Sequence, residues 1–407
     1  MRTDRSTGAH GDVIIGSEIG ELQEVVVHSP GREIEAMTPE TAGGVLYNDI
    51  IPLDSMSGAH AQMKSLLSAR AKVHELRDLV VAALSGDSAG EARALLLSRI
   101  SPRQPARSAL DQQRGRDDVH ARGLRQKLRE RLSEMPAEML FDTIVHGLQQ
   151  TRGSFTSYLS SREHDLPPLP NLYFMRDAAM AIAGGYAVGA MAHEVRRNEA
   201  ALLSVALRYG LDDRALLFDG ADPTMEPGLP DMRLEGGDVL VARPDLIVAG
   251  VSARTGPEAI DRLGRALATQ IDRDVRVIAV VLPHERAYIH LDMVFTLIDH
   301  EAALVHEPVI TSPRRSRMVS ASVSPEGSMK MREEDGVLEA LSRQGLPLKP
   351  VVCGGNDPVR QAREQWLSGT NVFCLAPGLL LAYDCNPATL EALDHAGYPV
   401  IDPGVGA

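Results

Sequence analysis

The sequence predicts an α/β protein built from five copies of one small unit set around an axis, propeller-like, with a helical segment inserted after the first copy. Three observations predict it. The same order of elements recurs along the chain: two short apolar strands joined by a turn, then an amphipathic helix, then another strand. Units of this size cannot bury their own apolar faces, so each must pack against its neighbours. Between the first unit and the rest, residues 77–160 carry helical periodicity and no strand character.

The first unit is split. ELQEVVVHSP, from Glu21, opens it, and the helix AHAQMKSLLSARA with the strand KVHEL completes it. The insertion follows as four amphipathic helices, in RDLVVAALSG, AGEARALLLSRI, VHARGLRQKLRERLSEM and PAEMLFDTIVHGLQQ. The expected division is residues 1–76 for the first unit, 77–160 for the helical insertion and 161–407 for the remaining units. The arginine-rich stretch from Arg103 to Arg131 has Asp and Glu interleaved, the pattern of a solvated helical face.

Beyond the insertion, AAMAIAG and YAVGAMA form a strand pair, EVRRNEAALLSVALRYG a helix and ALLFD the returning strand. The clearest copy has DVLVA and LIVAGV around a turn at Arg243-Pro244-Asp245, then EAIDRLGRALATQI with helical spacing and the β-branched strand VRVIAVVLP. Another begins at MVFTLID and returns at LPLKPVV. The last has NVFCLAP, GLLLAYD, a helix opening at Asn386-Pro387, Gly397 as its C-terminal cap, and YPVID as a closing strand.

With 407 residues, 44% of them hydrophobic, the chain can bury a sizeable core. MRTDRSTGAHGD at the start lacks an apolar signal core, and no segment gives about 18 uninterrupted apolar residues, so a soluble cytoplasmic protein is expected, with no membrane partner. Three cysteines without a C-x-x-C pair fit a reducing compartment and no cysteine zinc site. A formal charge of -13 argues against a nucleic-acid surface and is compatible with a small cationic substrate. A homo-oligomer is compatible with all of this.

Loops from the separate units converge near the axis, which makes polar clusters at unit starts candidates for one shared site. Three stand out: Asn171 to Asp177, Glu235-Gly236-Gly237-Asp238, and His290-Leu291-Asp292. In the last, a strand's period of two puts His290 and Asp292 on one face. Taken singly, these are also a strand edge, a turn and a local Arg176–Asp177 ion pair. Together they bring four carboxylates and one histidine to loops that meet, and their shared chemistry is recognition of a planar cation. A guanidinium keeps its charge and offers five N–H donors in a fixed fork, which carboxylates match in pairs. A histidine beside it can protonate a departing nitrogen and later activate water.

LPNLYFMRDAAMAI, LEGGDVL, HLDMVFTLID and CGGNDPVRQAREQWLSGTNVFCLAPG, in that order, resemble the signature segments of bacterial arginine deiminases. SEIGELQEVVVHSPGREIEAMTPE and LYNDIIP resemble that family's N-terminal strand and substrate loop, so the resemblance runs over essentially the whole chain. It implies the family's five-bladed α/β-propeller, of the pentein type, and hydrolysis of L-arginine to citrulline and ammonia without metal or organic cofactor. Carried over by position, it implies that Asp177 and Asp292 grip the guanidinium and that Glu235 and His290 give acid/base and electrostatic help. Asn171, Arg196 and Arg254 fall where the family contacts the substrate's α-carboxylate or its surroundings, Phe174 and Leu46 at pocket positions, and Asp238 beside the bound substrate. Without the family, Arg196 reads as an exposed helix arginine beside Arg197, and Arg254 as a loop charge.

The family continues past its last strand into a loop carrying the nucleophilic cysteine, whereas this chain ends IDPGVGA. The expectation is therefore that the chain as written binds weakly and turns over negligibly. Cys374, among Val372, Phe373 and Leu375, reads as a core residue; Cys353, before Gly354-Gly355, is the only one resembling a nucleophile elbow. Three rivals stay open: amidino transfer to an acceptor amine on the same fold, a non-catalytic arginine sensor, and a metallohydrolase using His290, Asp292 and Asp238.

Overall fold

The computed structural model describes residues 16–101, 118–150, 153, 155, 164–211, 214–222, 232–312 and 316–401. The opening dodecapeptide, most of the Arg103–Arg131 stretch and the last six residues lie outside the described residues. The fold is α/β. Three of its sheets repeat one topology, an antiparallel strand pair whose second member is joined in parallel, through a helical crossover, to a third strand. Ala179–Ile182 pairs antiparallel with Gly185–Val188, which pairs parallel with Leu216–Asp219. Val239–Arg243, Leu246–Val251 and Val275–Val281 repeat the pattern, as do Phe295–Leu297, Ala302–Val305 and Lys349–Val352. Glu24–Val27 and Lys72–Glu75 pair in parallel, and Phe373–Ala376 with Leu379–Leu381 antiparallel.

Periodicity explains why the crossovers are helical. In the helix Pro257–Ile271, Ala259, Ile260, Leu263, Leu267 and Ala268 fall at three- and four-residue spacing, and all are buried against the strand residues Val241, Ile247, Val275 and Val277. Proline at the first turn and a left-handed Asp272 at the end bound it.

Four differences from the sequence reading have physical causes. A hairpin, Met318–Val323 with Met329–Glu334, was not expected; it extends the central sheet to five strands by pairing Met318–Val323 antiparallel with Val275–Val281. Its outer strand is mostly exposed, so it lacks the apolar alternation that marks a half-buried strand. Within the 77–160 stretch, Leu148–Gln149 pairs with His164–Leu166. The YPVID segment forms no ladder as far as Ile401; Pro399 has no N–H to donate, and Val400 and Ile401 are exposed. His290 and Asp292 are not on a strand: His290 caps the 3-10 turn Leu291–Met293, and the strand starts only at Phe295.

Helices Leu76–Ser85, Ala89–Arg99, Asp118–Ser133 and Ala137–His146 follow the strand Lys72–Glu75. They share one apolar core with the helix Arg197–Val205, through Leu79, Val80, Leu96, Leu132, Leu140 and Ile144 against Ala201, Leu202 and Val205. Arg99 ties the two parts together: Nη1 donates to Asp219 Oδ1 at 3.0 Å and Nη2 lies 2.8 Å from Oδ2, with both side chains almost fully buried. No helix among the described residues is long and apolar enough to cross a membrane.

Candidate active site

Four junctions meet at one cluster. Asp177 lies in the short helix Met175–Ala178, Glu235 precedes the 3-10 turn Gly236–Asp238, His290 precedes the turn Leu291–Met293, and Arg196 ends the turn Glu194–Arg196. His290 Nε2 and Glu235 Oε2 are 2.8 Å apart, and His290 Nδ1 lies 3.6 Å from Asp177 Oδ1. The imidazole is 4% exposed, and Glu235 and Asp238 are fully buried. Burial disfavours charge on His290, but Asp177, the hydrogen bond to Glu235 and Asp238 outweigh it and raise its pKa. Glu235 moves the other way: burial is outweighed by His290, Arg254 and Arg196, and its pKa falls. Both shifts run toward the charged forms, with the carboxylates favouring a proton on His290.

Glycine makes that proximity feasible. A Cβ on Gly237 would meet His290 Cγ and Nδ1 at 2.8 Å and Asp177 Oδ1 at 3.1 Å, and one on Gly236 would meet the Arg176 carbonyl oxygen at 2.0 Å. The Glu235-Gly-Gly-Asp238 segment is thus a point of close approach as well as a turn.

Asp292 belongs to the same electrostatic cluster. Burial pushes its carboxyl up to about 7, with Asp177 and Asp238 adding and His290 and Arg176 opposing. Its Oδ1 is buried without a hydrogen-bond partner among the described residues. Asp238 accepts from Ser252 Oγ at 2.6 Å and from the Leu291 amide at 2.9 Å, so it braces the His290 turn. Burial raises its pKa to about 6.

Two arginines line the cluster. Arg196 is 3% exposed and donates from Nη1 to Asp177 Oδ2 at 2.7 Å, while its neighbour Arg197 is exposed, so the surface reading of Arg196 fails. Arg254 is likewise buried and donates to Glu235 Oε2 at 3.1 Å. Arg176 pairs with Glu18, at 2.6 and 3.0 Å, and not with Asp177.

Asn171, Leu46 and Phe174 lie on one wall. Asn171 Nδ2 donates to the Val45 carbonyl at 2.9 Å, and Tyr47 donates to the Pro170 carbonyl at 2.8 Å, which holds the Leu46 loop against the 170s segment. Leu46 is half-buried at φ 73, a left-handed conformation that a branched side chain resists. Phe174 is 43% exposed, with its ring centroid 4.0 Å from that of Tyr173. Sequence reasoning missed Glu199, which receives Arg196 Nε and Nη2 at 3.0 and 2.8 Å. The signal was an Arg-x-x-Glu spacing on a helix whose remaining residues are mostly apolar.

The family model for arginine deiminase matches residues 43–403. The chain belongs to the arginine deiminase family. It is 31% identical over 401 residues to the arginine deiminase of Bacillus cereus (strain B4264), covering 95% of this chain and 92% of that one. To the arginine deiminase of Oenococcus oeni (strain ATCC BAA-331 / PSU-1) it is 29% identical over 400 residues, covering 95% and 91%. Among solved structures, a dimethylarginine dimethylaminohydrolase adduct with S-methyl-L-thiocitrulline matches with a TM-score of 0.49 at 12% identity, over 93% of this chain and 91% of that one. SxtG, an amidinotransferase from Microseira wollei, matches at 0.47 and 15%, over 96% and 91%. The enzymes of the arginine deiminase family are hydrolases, and the buried cluster lies within the matched span.

Neither Cys353 nor Cys374 has the setting of a nucleophile. Burial pushes both thiols up to about 11; Cys353 Sγ receives the Thr389 hydroxyl, and Cys374 Sγ donates to the Ala376 carbonyl. Cys385 is exposed.

Proposed function

We propose that this protein binds L-arginine at the Asp177–Glu235–His290–Asp292 cluster and converts it, with water, to L-citrulline and ammonia. The observation that carries the reading is the buried His290 imidazole between the carboxylates of Glu235 and Asp177, with a further carboxyl oxygen, Asp292 Oδ1, left open to a donor. In the proposed reaction Asp177 and Asp292 hold the guanidinium. Water adds to the guanidinium carbon and forms the C–O bond, and His290 gives its proton to the departing nitrogen as the C–N bond breaks. Of the two protons that the water gives up, one restores His290 and the other leaves with the ammonia as ammonium. Glu235 keeps His290 charged until that transfer. Arg254 and Asn171 lie toward the substrate's α-carboxylate or its surroundings, Arg196 orients Asp177, and Leu46 and Phe174 form the wall over the substrate's chain.

The attacking thiol of a covalent route is a group other than Cys353 or Cys374. A five-bladed ring of the repeated units is also proposed. It is supported by the recurring ladder and by the Leu22 amide, which donates to the Leu375 carbonyl at 2.9 Å and so joins the first unit to the last. Free cysteines support a reducing, cytoplasmic location.

The test pairs calorimetry with L-arginine and an assay of citrulline release. Binding of L-arginine is expected, and citrulline release would show that a nucleophile other than Cys353 or Cys374 acts on it. A second reading, an arginine binder without turnover, is favoured by the burial of Cys353 and Cys374, and binding without citrulline would select it. No binding at all would overturn both.

A further inference from the structure

Arg196 divides its donors between two acidic partners. Nε and Nη2 both reach Glu199 Oε2, while Nη1 reaches Asp177 Oδ2 and lies 3.8 Å from Glu235 Oε2. Glu199 is 1% exposed, and its second oxygen, Oε1, is buried with no hydrogen-bond partner among the described residues. Burying a carboxylate with one oxygen unsatisfied is costly, so its presence calls for a compensating role. Its surroundings indicate what that role is. The charged and titratable groups around Glu199 are Arg196, Asp177, Glu235 and Tyr47. Only Arg196 among these carries positive charge, and it is the one that donates a hydrogen bond to Asp177, at 2.7 Å.

We propose that Glu199 is a positioning residue which neutralises Arg196, so that Asp177 keeps a full negative charge for the cationic head of the substrate. The inference rests on the arginine reading above. A resident guanidinium and a substrate guanidinium make the same demand on a carboxylate, paired N–H donors and one positive charge. Without Glu199, Arg196 would hold Asp177 as its principal counter-ion in a site where ion pairing is strong, and the two guanidiniums would compete. With Glu199 in place, Arg196 is already compensated and its contact with Asp177 orients that carboxylate. The benefit is specific to charge: a ligand with the shape of arginine but no cation gains little from it.

Titration gives a second handle. Burial pushes Glu199 up to about 7, with Asp177 and Glu235 adding and Arg196 opposing. Acidification through neutrality therefore removes its charge. A neutral Glu199 should behave as a glutamine does.

The experiment measures binding of L-arginine and L-citrulline by calorimetry to the wild-type protein, Glu199→Gln and Glu199→Asp. Near pH 8, Glu199→Gln should lose about ten-fold or more in arginine affinity and less than about three-fold in citrulline affinity, because only the first ligand carries the charge. Glu199→Asp should keep most of the preference for arginine. Near pH 6 the wild-type preference should fall toward that of Glu199→Gln. Equal losses for both ligands, or a gap between wild type and Glu199→Gln that does not change with pH, would overturn the proposal and leave Glu199 a packing residue. If Glu199→Gln fails to fold, Glu199→Met takes its place in the same comparison, because the wild-type pH profile also carries Asp292, whose carboxyl burial pushes up to about 7. A wild-type protein that binds neither ligand would instead remove the arginine reading on which the proposal rests.

Discussion

Gly237 lies so close to His290 that a methyl group on it would meet the imidazole Cγ and Nδ1 at 2.8 Å. Both neighbours are held from behind, His290 by Glu235 and the Leu291 amide by Asp238, so the ring has little room to retreat.

Gly237→Ala should therefore displace the ring. The expected cost is roughly 1–3 kcal/mol of stability from overpacking, with a larger proportional loss of arginine affinity. Urea unfolding and calorimetry measure the two. Wild-type affinity in a folded Gly237→Ala protein would show that the His290 position does not matter for binding.

Asp177→Asn should weaken arginine binding by about 3 kcal/mol or more, because it leaves buried positive charge on Arg196 and on the ligand with one partner fewer. A chelator should leave binding unchanged, since the guanidinium already brings the positive charge that a metal would supply. Loss of wild-type binding on adding chelator would favour the metal rival.

The His290–Glu235 pair makes stability depend on pH in two directions. His290 has a raised folded pKa, so its contribution is fully present below the ordinary value of 6.5 and is lost as pH rises through the folded pKa. Glu235 has a lowered one, so its contribution is present above the ordinary 4.5 and is lost as pH falls through the folded pKa. Denaturant midpoints across pH should thus decline on the alkaline side, and His290→Gln should flatten that decline. A variant that keeps the wild-type alkaline slope would assign the slope to other groups.

Arg99→Met should destabilise the protein by about 3–5 kcal/mol, because Asp219 would lose one of its two arginine partners among the described residues and keep Arg208 and the Ser204 hydroxyl. Chemical denaturation reads this directly, and a change under about 1 kcal/mol would mean that solvent reaches Asp219 freely.

Much of the fold is legible in the sequence, because a crossover helix such as Pro257–Ile271 buries one stripe and each central strand is a short apolar run. The hairpin Met318–Glu334 escapes, since MKMREE is exposed on both faces and carries no signal of period two. The site is legible in part. Glu235 and His290 stand out because acids and a histidine sit at loop positions where the strand pattern does not ask for them. Asp292 was placed beside His290 by a strand argument, while the chain there makes a 3-10 turn, so its position follows from tertiary packing. Glu199 hides because Arg and Glu three apart on a helix are ordinary surface partners; only burial distinguishes this pair from such a one. Gly237 hides for a similar reason, as a glycine needed for close approach is spelled like a glycine needed for a turn.

The shared core of the inserted helices and the helix Arg197–Val205 has a kinetic meaning. Gly210 packs so tightly on the Leu79 carbonyl that a Cβ there would come within 2.5 Å of its oxygen, and Arg99 clamps the same junction. The insertion is therefore not a hat that can be lifted from the sheets. Its opening and that of the Arg197–Val205 helix form one cooperative event, which releases Arg196 at that helix's first turn together with the rest. Slow hydrogen exchange should find the amides of Leu76–Ser85 and of Arg197–Val205 at one common opening free energy, so that a lesion among the helices of 76–146, remote from any ligand, is felt as a looser grip on Asp177.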